Sequence, residues 1–191
     1  MPDLAVLKVS PVQFFLYCNM FARPITLKES GNQFDTIRYM ARIAKESAKH
    51  PFFEKYIRAN NMTGTTSDLN KFFNDVFYKT YYKKDPVGRQ QIRSGTRLLR
   101  EKIGNCVDYS VLFSAFLLNL GVPHSFRMIS TDKNNPDQYS HIYVVTDDGI
   151  ILDAVLNQDQ YGNEYKKPKT KRKPLFNTQG QYFKKYDLKV L

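Results

Sequence analysis

The longest apolar stretch of the chain lies at residues 104–121, which read GNCVDYSVLFSAFLLNLG. Apolar residues occupy most positions of this stretch, so a helix formed here has almost no polar face and must be buried. Asn105 is of a type that caps a helix start, and Gly121 can adopt the left-handed conformation that ends a helix. The pattern therefore predicts a buried central helix that begins at Cys106.

Three strand-like runs follow this helix. They cover residues 125–130, 141–146 and 150–156, and the turn sequence DDG at 147–149 separates the second from the third. Consecutive short strands joined by turns favour antiparallel pairing. We therefore expect an α+β fold in which a small antiparallel sheet packs on the central helix.

Helical periodicity also precedes the central helix. It runs over Gln33–Ala48, a short piece at 52–57, a segment that Ser67 can cap, and residues 93–103. In the last of these segments the leucines are predicted to face inward, and the basic residues, Arg93 among them, to face outward. Aromatic residues recur at helical spacing in these segments, which is typical of a core rather than of a ligand groove.

Composition divides the chain into three parts. Residues 1–32 carry prolines between short apolar runs and are expected to form an extended arm. Residues 33–156 hold the helical lead-in and the core, and residues 157–191 form a basic C-terminal extension whose alternating end predicts an edge strand or a docking arm. A chain of 191 residues, of which 42% are hydrophobic, is expected to form a single core domain.

Three residues in the central segment can act together chemically. Cys106 falls in the first turn of the central helix, where free N–H groups and the helix dipole stabilise a thiolate. His141 opens the second strand-like run, and Asp153 lies in the third. Free cysteine is also among the most buried residue types, so a structural thiol is the alternative to a nucleophile.

The length of the hairpin loop decides whether His141 and Asp153 share a face. With a three-residue loop at 147–149 and Gly149 left-handed, His141 pairs with Val155 and Asp153 is its diagonal neighbour on the same face. A two-residue loop would turn Asp153 to the opposite face. A Cys-His-Asp arrangement therefore requires the three-residue loop.

These residues resemble the transglutaminase-like superfamily of papain-like thiol enzymes, of the kind found in bacterial and phage proteins. The shared pattern covers about residues 85–156: GNC before the buried helix, LNLGVP at its end, a histidine followed by apolar residues, and an aspartate on the next strand. The resemblance implies a papain/transglutaminase-like α+β fold with extra N-terminal helices. It also implies that Cys106 is the nucleophile, His141 the base, and Asp153 the residue that orients the imidazole.

The resemblance further implies acyl transfer or amide hydrolysis on a polypeptide substrate, through a thioester and without a cofactor. Water as the second substrate gives a protease or amidase, whereas a lysine amine gives a cross-link. Family members bind the oxyanion with a side chain upstream of the cysteine and with the cysteine's own N–H. Tyr81, Tyr82, Gln90 and Gln91 are all eligible for the side-chain part.

Spacing of cysteine and histidine predicts no metal site. Cys18 and Cys106 form no metal or disulfide pattern, which suits a reducing compartment or a free thiol, and His50 and His124 have no partner at metal spacing. No apolar run is long enough for a membrane span, and no secretory signal is recognisable. We therefore expect a cytoplasmic protein, or a virion protein if the chain is phage-encoded.

A formal net charge of +11 favours an anionic partner. The segment 166–174 concentrates the candidate partner or anion contacts, which are Lys166, Lys167, Lys169, Lys171, Arg172 and Lys173. They predict non-specific contact with nucleic acid or an acidic surface, or a solvated tail that aids solubility. The alternative to an enzyme is a structural component of a large assembly, such as a phage virion connector or tail part, which binds partner subunits through its arm and basic tail.

Overall fold

The computed structural model of the chain describes residues 25–28, 32–86, 89–156 and 174–191. Most of the predicted N-terminal arm and all six basic candidates lie outside the described residues; these six are Lys166, Lys167, Lys169, Lys171, Arg172 and Lys173. The described part is a mixed α+β structure in which a buried helix packs on a small antiparallel sheet. This architecture confirms the predicted fold class.

The described residues form five helices and eight strands. The helices are α1 (Gln33–Ala48), α2 (Pro51–Ala59), α3 (Thr66–Lys79), α4 (Gly95–Glu101) and α5 (Cys106–Leu120). The strands are β1 (Ile25–Lys28), β2 (Tyr81–Tyr82), β3 (Arg89–Ile92), β4 (Ile103–Gly104), β5 (His124–Ser130), β6 (His141–Thr146), β7 (Ile151–Leu152) and β8 (Lys184–Lys189).

Helix α5 forms the centre of the molecule. Residues 107–117 are all buried, as the near-continuous apolar stretch predicts. The side chain of Asn105 caps the start of α5, and Gly121, with a φ of +67°, ends it in the left-handed conformation. Both ends of the helix therefore lie where the sequence predicts them.

One face of the main sheet packs on α5. The strand order is β7-β6-β5-β8, and every neighbouring pair is antiparallel. Phe126, Val144 and Leu152 belong to the same core as α5, whereas Ile129 and Tyr143 join a smaller cluster on the other face. This division follows from the alternation of side chains along a strand.

The β6–β7 hairpin has the predicted register. Val145 pairs with Ile151, and the N–H of Thr146 donates to the carbonyl of Ile150 at 3.0 Å, which leaves a three-residue loop. Gly149 in this loop has a φ of +90°, a conformation that favours glycine. Strand β7 is shorter than the apolar run in the sequence, but the odd loop length is confirmed.

Aromatic residues join the N-terminal helices to α5. The rings of Phe72 and Phe116 stack with centroids 3.8 Å apart, and those of Phe73 and Phe113 stack at 5.6 Å. All four side chains are fully buried. The aromatic stripe of α3 is therefore core, as predicted, and its packing fixes the helical layer against α5.

The start of α3 differs from the prediction. The hydroxyl of Thr65 accepts from the N–H of Asp68, and the carboxylate of Asp68 accepts from the N–H of Thr65, which forms a capping box. Ser67 lies inside the helix, so the prediction that Ser67 caps it was wrong. The reason is that only a cap at Thr65 places Asp68 three residues later, where it completes the box.

Residues 93–103 do not form one amphipathic helix. Helix α4 covers only Gly95–Glu101, with Ser94 as its cap, and Lys102 ends it with a φ of +61°. Arg93 precedes the helix, and its side chain is only 12% exposed. The prediction that Arg93 faces outward was wrong, because buried carboxylates surround its guanidinium.

Strand β8 is the edge strand that the alternating C-terminal end predicts. It pairs with β5, and Arg127 of β5 donates two hydrogen bonds to Asp187 of β8, at 2.7 and 2.8 Å. Tyr186 of β8 also meets Phe34 of α1 edge to face, with centroids 4.9 Å apart. Residues 184–189 are therefore part of the folded core.

Two short strand pairs lie near the start of α5. Strand β1 pairs with β3 in antiparallel fashion, and β2 pairs with β4 in parallel fashion. Because β4 leads directly into α5, these pairs bring the segment before α4 close to Cys106. None of the helices in the described ranges has the length and apolar character that crossing a bilayer requires.

Candidate active site

Cys106 is the first residue of α5, and it is half-buried. The side chain of Asn105 accepts from the N–H groups of Val107 and Asp108, at 3.0 and 3.2 Å. In return, the carboxylate of Asp108 accepts from the N–H of Asn105 at 3.0 Å. The sulfur therefore projects from a helix start that reciprocal capping bonds hold in place.

The imidazole of His141 is held by a buried carboxylate. Its Nε2 atom lies 2.6 Å from Oδ2 of Asp153, which is 4% exposed. The other oxygen of Asp153, Oδ1, accepts from the N–H groups of Val155 and Leu156, both at 3.1 Å. These two backbone bonds fix the carboxylate, so Asp153 can set the orientation of the ring.

Cys106 and His141 line the same cavity, and the sulfur is close enough to the imidazole to act on its pKa. Because Nε2 is directed to Asp153, Nδ1 is the ring atom that remains for the sulfur. Burial lowers the pKa of His141, but Asp153 and Cys106 outweigh burial and raise it well above 6.5. The surroundings therefore favour the protonated form of the imidazole.

A cavity of about 170 Å³ opens beside Cys106 and His141. Helix α1, strand β3, the start of α5 and the strands around His141 form its walls. Apart from Cys106 and His141, the lining residues carry no charge and half of them are apolar: Gln33, Thr36, Ile37, Met40, Gln90, Val107, Met128, Tyr139, Ser140 and Ile142. Tyr139 and Ser140 lie in the loop between β5 and β6, so this loop contributes to the wall.

Gln33 fixes one wall of this cavity. Its carboxamide donates to the carbonyl of Tyr139 and accepts from the N–H of Tyr139, both at 3.2 Å. The ring of the neighbouring residue Phe34 meets that of Tyr139 edge to face, with centroids 6.2 Å apart. Helix α1 is thereby tied to the segment that precedes His141.

Arg93 joins three carboxylates next to the start of α5. Its guanidinium donates to Asp108 at 2.7 Å, to Glu101 at 3.2 Å and to Asp85 at 3.3 Å. Burial raises the pKa of Asp108 to about 6, although Arg93 and two backbone N–H donors act in the opposite direction. Arg93 therefore supplies the countercharge for a carboxylate that is wholly buried.

Asp85 is a further member of this network. Its Oδ2 atom accepts from the N–H of Gln91 at 2.7 Å, from Nδ2 of Asn105 at 2.8 Å and from Nε2 of Gln90 at 3.1 Å. Neither the role of Asp85 nor that of Arg93 was predicted from the sequence. Their only local signal is an Asp-Pro pair typical of a turn.

The four residues eligible to bind an oxyanion separate in the structure. Gln90 lines the cavity together with Cys106. The side-chain oxygen of Gln91 instead accepts from Arg93 at 2.9 Å. Tyr81 and Tyr82 lie in β2 and do not belong to the described lining of the cavity.

The other two histidines have structural partners. His124 is fully buried, with Nε2 2.7 Å from the hydroxyl of Ser114 and Nδ1 2.8 Å from the carbonyl of Val122. His50 accepts from the N–H of Phe52 at 3.1 Å and caps α2. Within the described ranges, no group of three or more His, Cys, Asp or Glu side chains could hold a metal ion.

Comparison with known proteins adds a family match to this geometry. The family model of the Transglutaminase-like domain matches residues 41–179, a span that includes Cys106, His141 and Asp153. Among solved structures, the chain is similar to a candidate cysteine protease from Cytophaga hutchinsonii, with 16% identity, a TM-score of 0.37, and coverage of 72% of this chain and 50% of that one. The chain thus spans about half the length of that protein. No curated protein matches.

Proposed function

The chain belongs to the transglutaminase-like domain family, and on this premise we propose that it is a cysteine-dependent enzyme that acts on carboxamide or peptide bonds. The observation that carries the proposal is one imidazole, His141, that lies 2.6 Å from the carboxylate of Asp153 and lines the same cavity as Cys106. A thiol, a base and a carboxylate that orients the base are the groups that covalent catalysis of acyl transfer requires.

Acylation uses all three residues. The sulfur of Cys106 attacks the carbonyl carbon, and the electrons of the C=O double bond move to the oxygen as the C–S bond forms. The thiol proton is held at Nδ1 of His141, which gives it to the leaving nitrogen as the C–N bond breaks. The products are a free amine and a thioester on Cys106, while Asp153 stabilises the imidazolium.

Deacylation uses the same base in reverse. His141 takes a proton from the second substrate, whose oxygen or nitrogen attacks the thioester, and the C–S bond breaks to restore the thiolate. Water as the second substrate releases an acid, and an amine forms a new amide. Both outcomes leave the roles of Cys106, His141 and Asp153 unchanged.

Gln90 supplies the oxyanion donor in this proposal, together with the backbone N–H of Cys106. Its Nε2 atom donates to Asp85 and to the carbonyl of Gln91, both at 3.1 Å. When substrate binds, the second N–H turns from Gln91 to the oxyanion, and Asp85 keeps the first. One such donor contributes roughly 10²-fold to 10³-fold to the rate in other acyl-transfer enzymes.

The cavity supports a polypeptide substrate with an uncharged apolar side chain near the scissile bond. Ile37, Met40 and Ile142 are buried residues of its lining. A charged side chain placed against these groups would lose its hydration without gaining a partner. Apolar side chains would instead bury their surface there at about 25 cal/mol per Å².

Acyl-enzyme formation tests this proposal. An activated ester of an N-acylated leucine should add one acyl group to a Cys18→Ala protein, as intact mass shows, and add none to Cys106→Ala or His141→Ala. Iodoacetamide at neutral pH should label Cys106 much faster than Cys18 in the wild-type chain. Equal slow labelling of both cysteines, with no acyl adduct, would contradict thiol catalysis.

A structural role in a large assembly is the second candidate function, and the observation that favours it is the net charge of +11 with its basic segment at 166–174. In this case the chain is a phage virion part, such as a connector or tail component, and uses the fold as a scaffold. Binding to partner subunits should then persist in Cys106→Ala and weaken when 166–174 is deleted. Normal assembly of the deletion variant would remove the support for this function.

A further inference from the structure

The carboxylate of Asp85 is a junction between the two sides of the site. Its Oδ2 atom accepts three hydrogen bonds, two from Gln90 and Gln91 of β3 and one from Asn105 at the start of α5. The Asp85 side chain is only 9% exposed. If the carboxylate were lost, little water could take its place as the acceptor for these donors. One buried oxygen therefore ties β3 to the helix that carries Cys106.

The link from Asp85 to Cys106 passes through one side chain. Asn105 donates from Nδ2 to Asp85 at 2.8 Å, and its Oδ1 accepts from the N–H groups of Val107 and Asp108. The two ends of this carboxamide have different partners, so its orientation is fixed. Because Asn105 directly precedes Cys106, Asp85 holds the backbone from which the nucleophile projects.

The link from Asp85 to the cavity passes through Gln90. Its Nε2 atom donates to Asp85 at 3.1 Å, and the same side chain lines the cavity with Cys106. A flexible glutamine has three side-chain torsions to order, and an anionic acceptor at its tip orders them before substrate arrives. Asp85 thus holds the Gln90 amide at the cavity wall by one N–H, and the other N–H, now on the carbonyl of Gln91, is the one that must reach the oxyanion.

Arg93 holds this junction in place. Its guanidinium donates to Oδ1 of Asp85 at 3.3 Å and to the fully buried Asp108 at 2.7 Å. Each oxygen of Asp85 therefore has its own donors, and the cation compensates the two carboxylates. The carboxylate cannot rotate without breaking bonds on both sides.

We propose that Asp85 is a positioning residue that sets the Gln90 carboxamide relative to Cys106, an inference that rests on the proposed acyl transfer. Asp85→Asn is the direct test, because it places an N–H₂ group among groups that all donate and so breaks part of the junction. The sulfur should still react with an alkylating reagent, because Oδ1 of Asn105 keeps its bonds to the start of α5 and His141 keeps Asp153.

Two reactions of the same sulfur separate positioning from simple structural support. Alkylation by iodoacetamide passes through no oxyanion, whereas acylation by an ester does. In Asp85→Asn we expect the acylation rate to fall by roughly 100-fold and the alkylation rate to stay within about twofold. When Asp85→Asn is added to Gln90→Ala, the acylation rate should fall by less than about threefold further, because the side chain that Asp85 positions is already absent.

Asp187→Asn is the matched control, because Asp187 is also paired with an arginine but lies on β8. Its acylation and alkylation rates should both match those of the wild-type chain. If acylation and alkylation fall equally in Asp85→Asn, Asp85 only supports the structure and the inference is overturned. The same holds if Asp85→Asn lowers the acylation rate as much in Gln90→Ala as in the wild-type chain. Unchanged acylation in Asp85→Asn would overturn it as well.

Two further measurements keep the test decisive. If Asp85→Asn does not fold, Asn105→Ser keeps a capping oxygen but removes the bond to Asp85, and it should lower acylation in the same selective way. In ¹H–¹⁵N spectra, the Gln90 side-chain amide, identified by its loss in Gln90→Ala, should shift or broaden in Asp85→Asn. A wild-type chain that forms no acyl-enzyme contradicts the proposed function, and an unmoved Gln90 amide contradicts the positioning role.

Discussion

Nε2 of His141 lies 2.6 Å from Oδ2 of Asp153, and a hairpin with a three-residue loop brings the two residues together. The backbone N–H groups of Val155 and Leu156 both donate to Oδ1 of Asp153. These donors would bind the oxygen of an asparagine at this position and leave its N–H₂ group facing His141. The ring would then have to accept at Nε2 and carry its proton at Nδ1, where it could not receive the thiol proton.

Asp153→Asn should therefore lower the acylation rate by roughly 10³-fold to 10⁴-fold while the chain stays folded. Stopped-flow acylation with an activated ester, next to a thermal melt, measures both properties. Asp147→Asn is the control, because Asp147 forms an ion pair with Lys189 at the surface and should change the rate by less than about twofold. An Asp153→Asn protein that acylates at the wild-type rate would show that Asp153 does not set the tautomer of His141.

Folding stability should depend on pH through His124. Burial lowers the pKa of His124 below its ordinary value of 6.5. The unfolded chain then binds more protons than the folded chain between the two pKa values, so the stability that neutral His124 contributes is present above 6.5 and is lost as pH falls below it. His141 has the opposite sign, because its raised pKa contributes stability below 6.5 that is lost as pH rises through the folded value.

A difference measurement isolates His124 from His141. Urea unfolding of wild type and His124→Gln at pH values from about 5 to about 8 should give a gap in unfolding free energy that narrows as pH falls. Ser114→Ala should cost about 1–3 kcal/mol at neutral pH, because it leaves Nε2 of His124 buried without its hydroxyl partner. A gap that does not change with pH would mean that His124 keeps the same charge in both states.

Gly95→Ala should destabilise the fold by about 1–3 kcal/mol. A methyl group at residue 95 would lie 2.9 Å from the Cα atom of Leu112, so α4 would have to move away from α5. Gly180→Ala is the control, because its nearest neighbour is the end of the flexible Leu156 side chain at 3.2 Å. Chemical denaturation measures both, and equal losses would show that α4 can shift at little cost.

Substrate preference should follow the charge of the cavity wall. Thr36 lines the cavity on α1, and Thr36→Lys would add a cation to this wall, whose other lining residues on α1 are uncharged. We expect the ratio of kcat/KM values for acidic over apolar side chains near the scissile bond to rise by about 10-fold, which corresponds to about 1.4 kcal/mol. Tyr39→Lys adds the same charge at a residue that is 39% exposed, and it should leave the ratio unchanged. Equal ratios in both variants would exclude this wall from substrate recognition.

Much of the site could be predicted because its determinants are local in sequence. Asn105 and Gly121 set the ends of α5 through backbone preferences, and Gly149 allows the loop that brings Asp153 to the face of His141. Each depends on a few neighbouring residues. Periodicity and turn chemistry therefore suffice for them.

The features that could not be predicted depend on distant residues. Helical periodicity places Arg93 on the outer face of a helix. In the structure its guanidinium instead turns inward to bind Asp85, eight positions before it, and Asp108, fifteen positions after it. Gln90 and Gln91 have the same side-chain chemistry, and only the fold directs one to the cavity and the other to Arg93. No local pattern distinguishes such partners, because the interactions form only after the elements have packed.

The position of β8 has a consequence for how molecules of this chain interact. The strand that completes the sheet follows β7 only after a long stretch of chain, and it covers one entire side of β5. When β8 detaches, six residues of β5 regain open backbone donors and acceptors, and the last strand of another copy has the complementary sequence to occupy them. Pairing of β8 with β5 in the same molecule thus closes this side of β5 to the β8 strand of another copy.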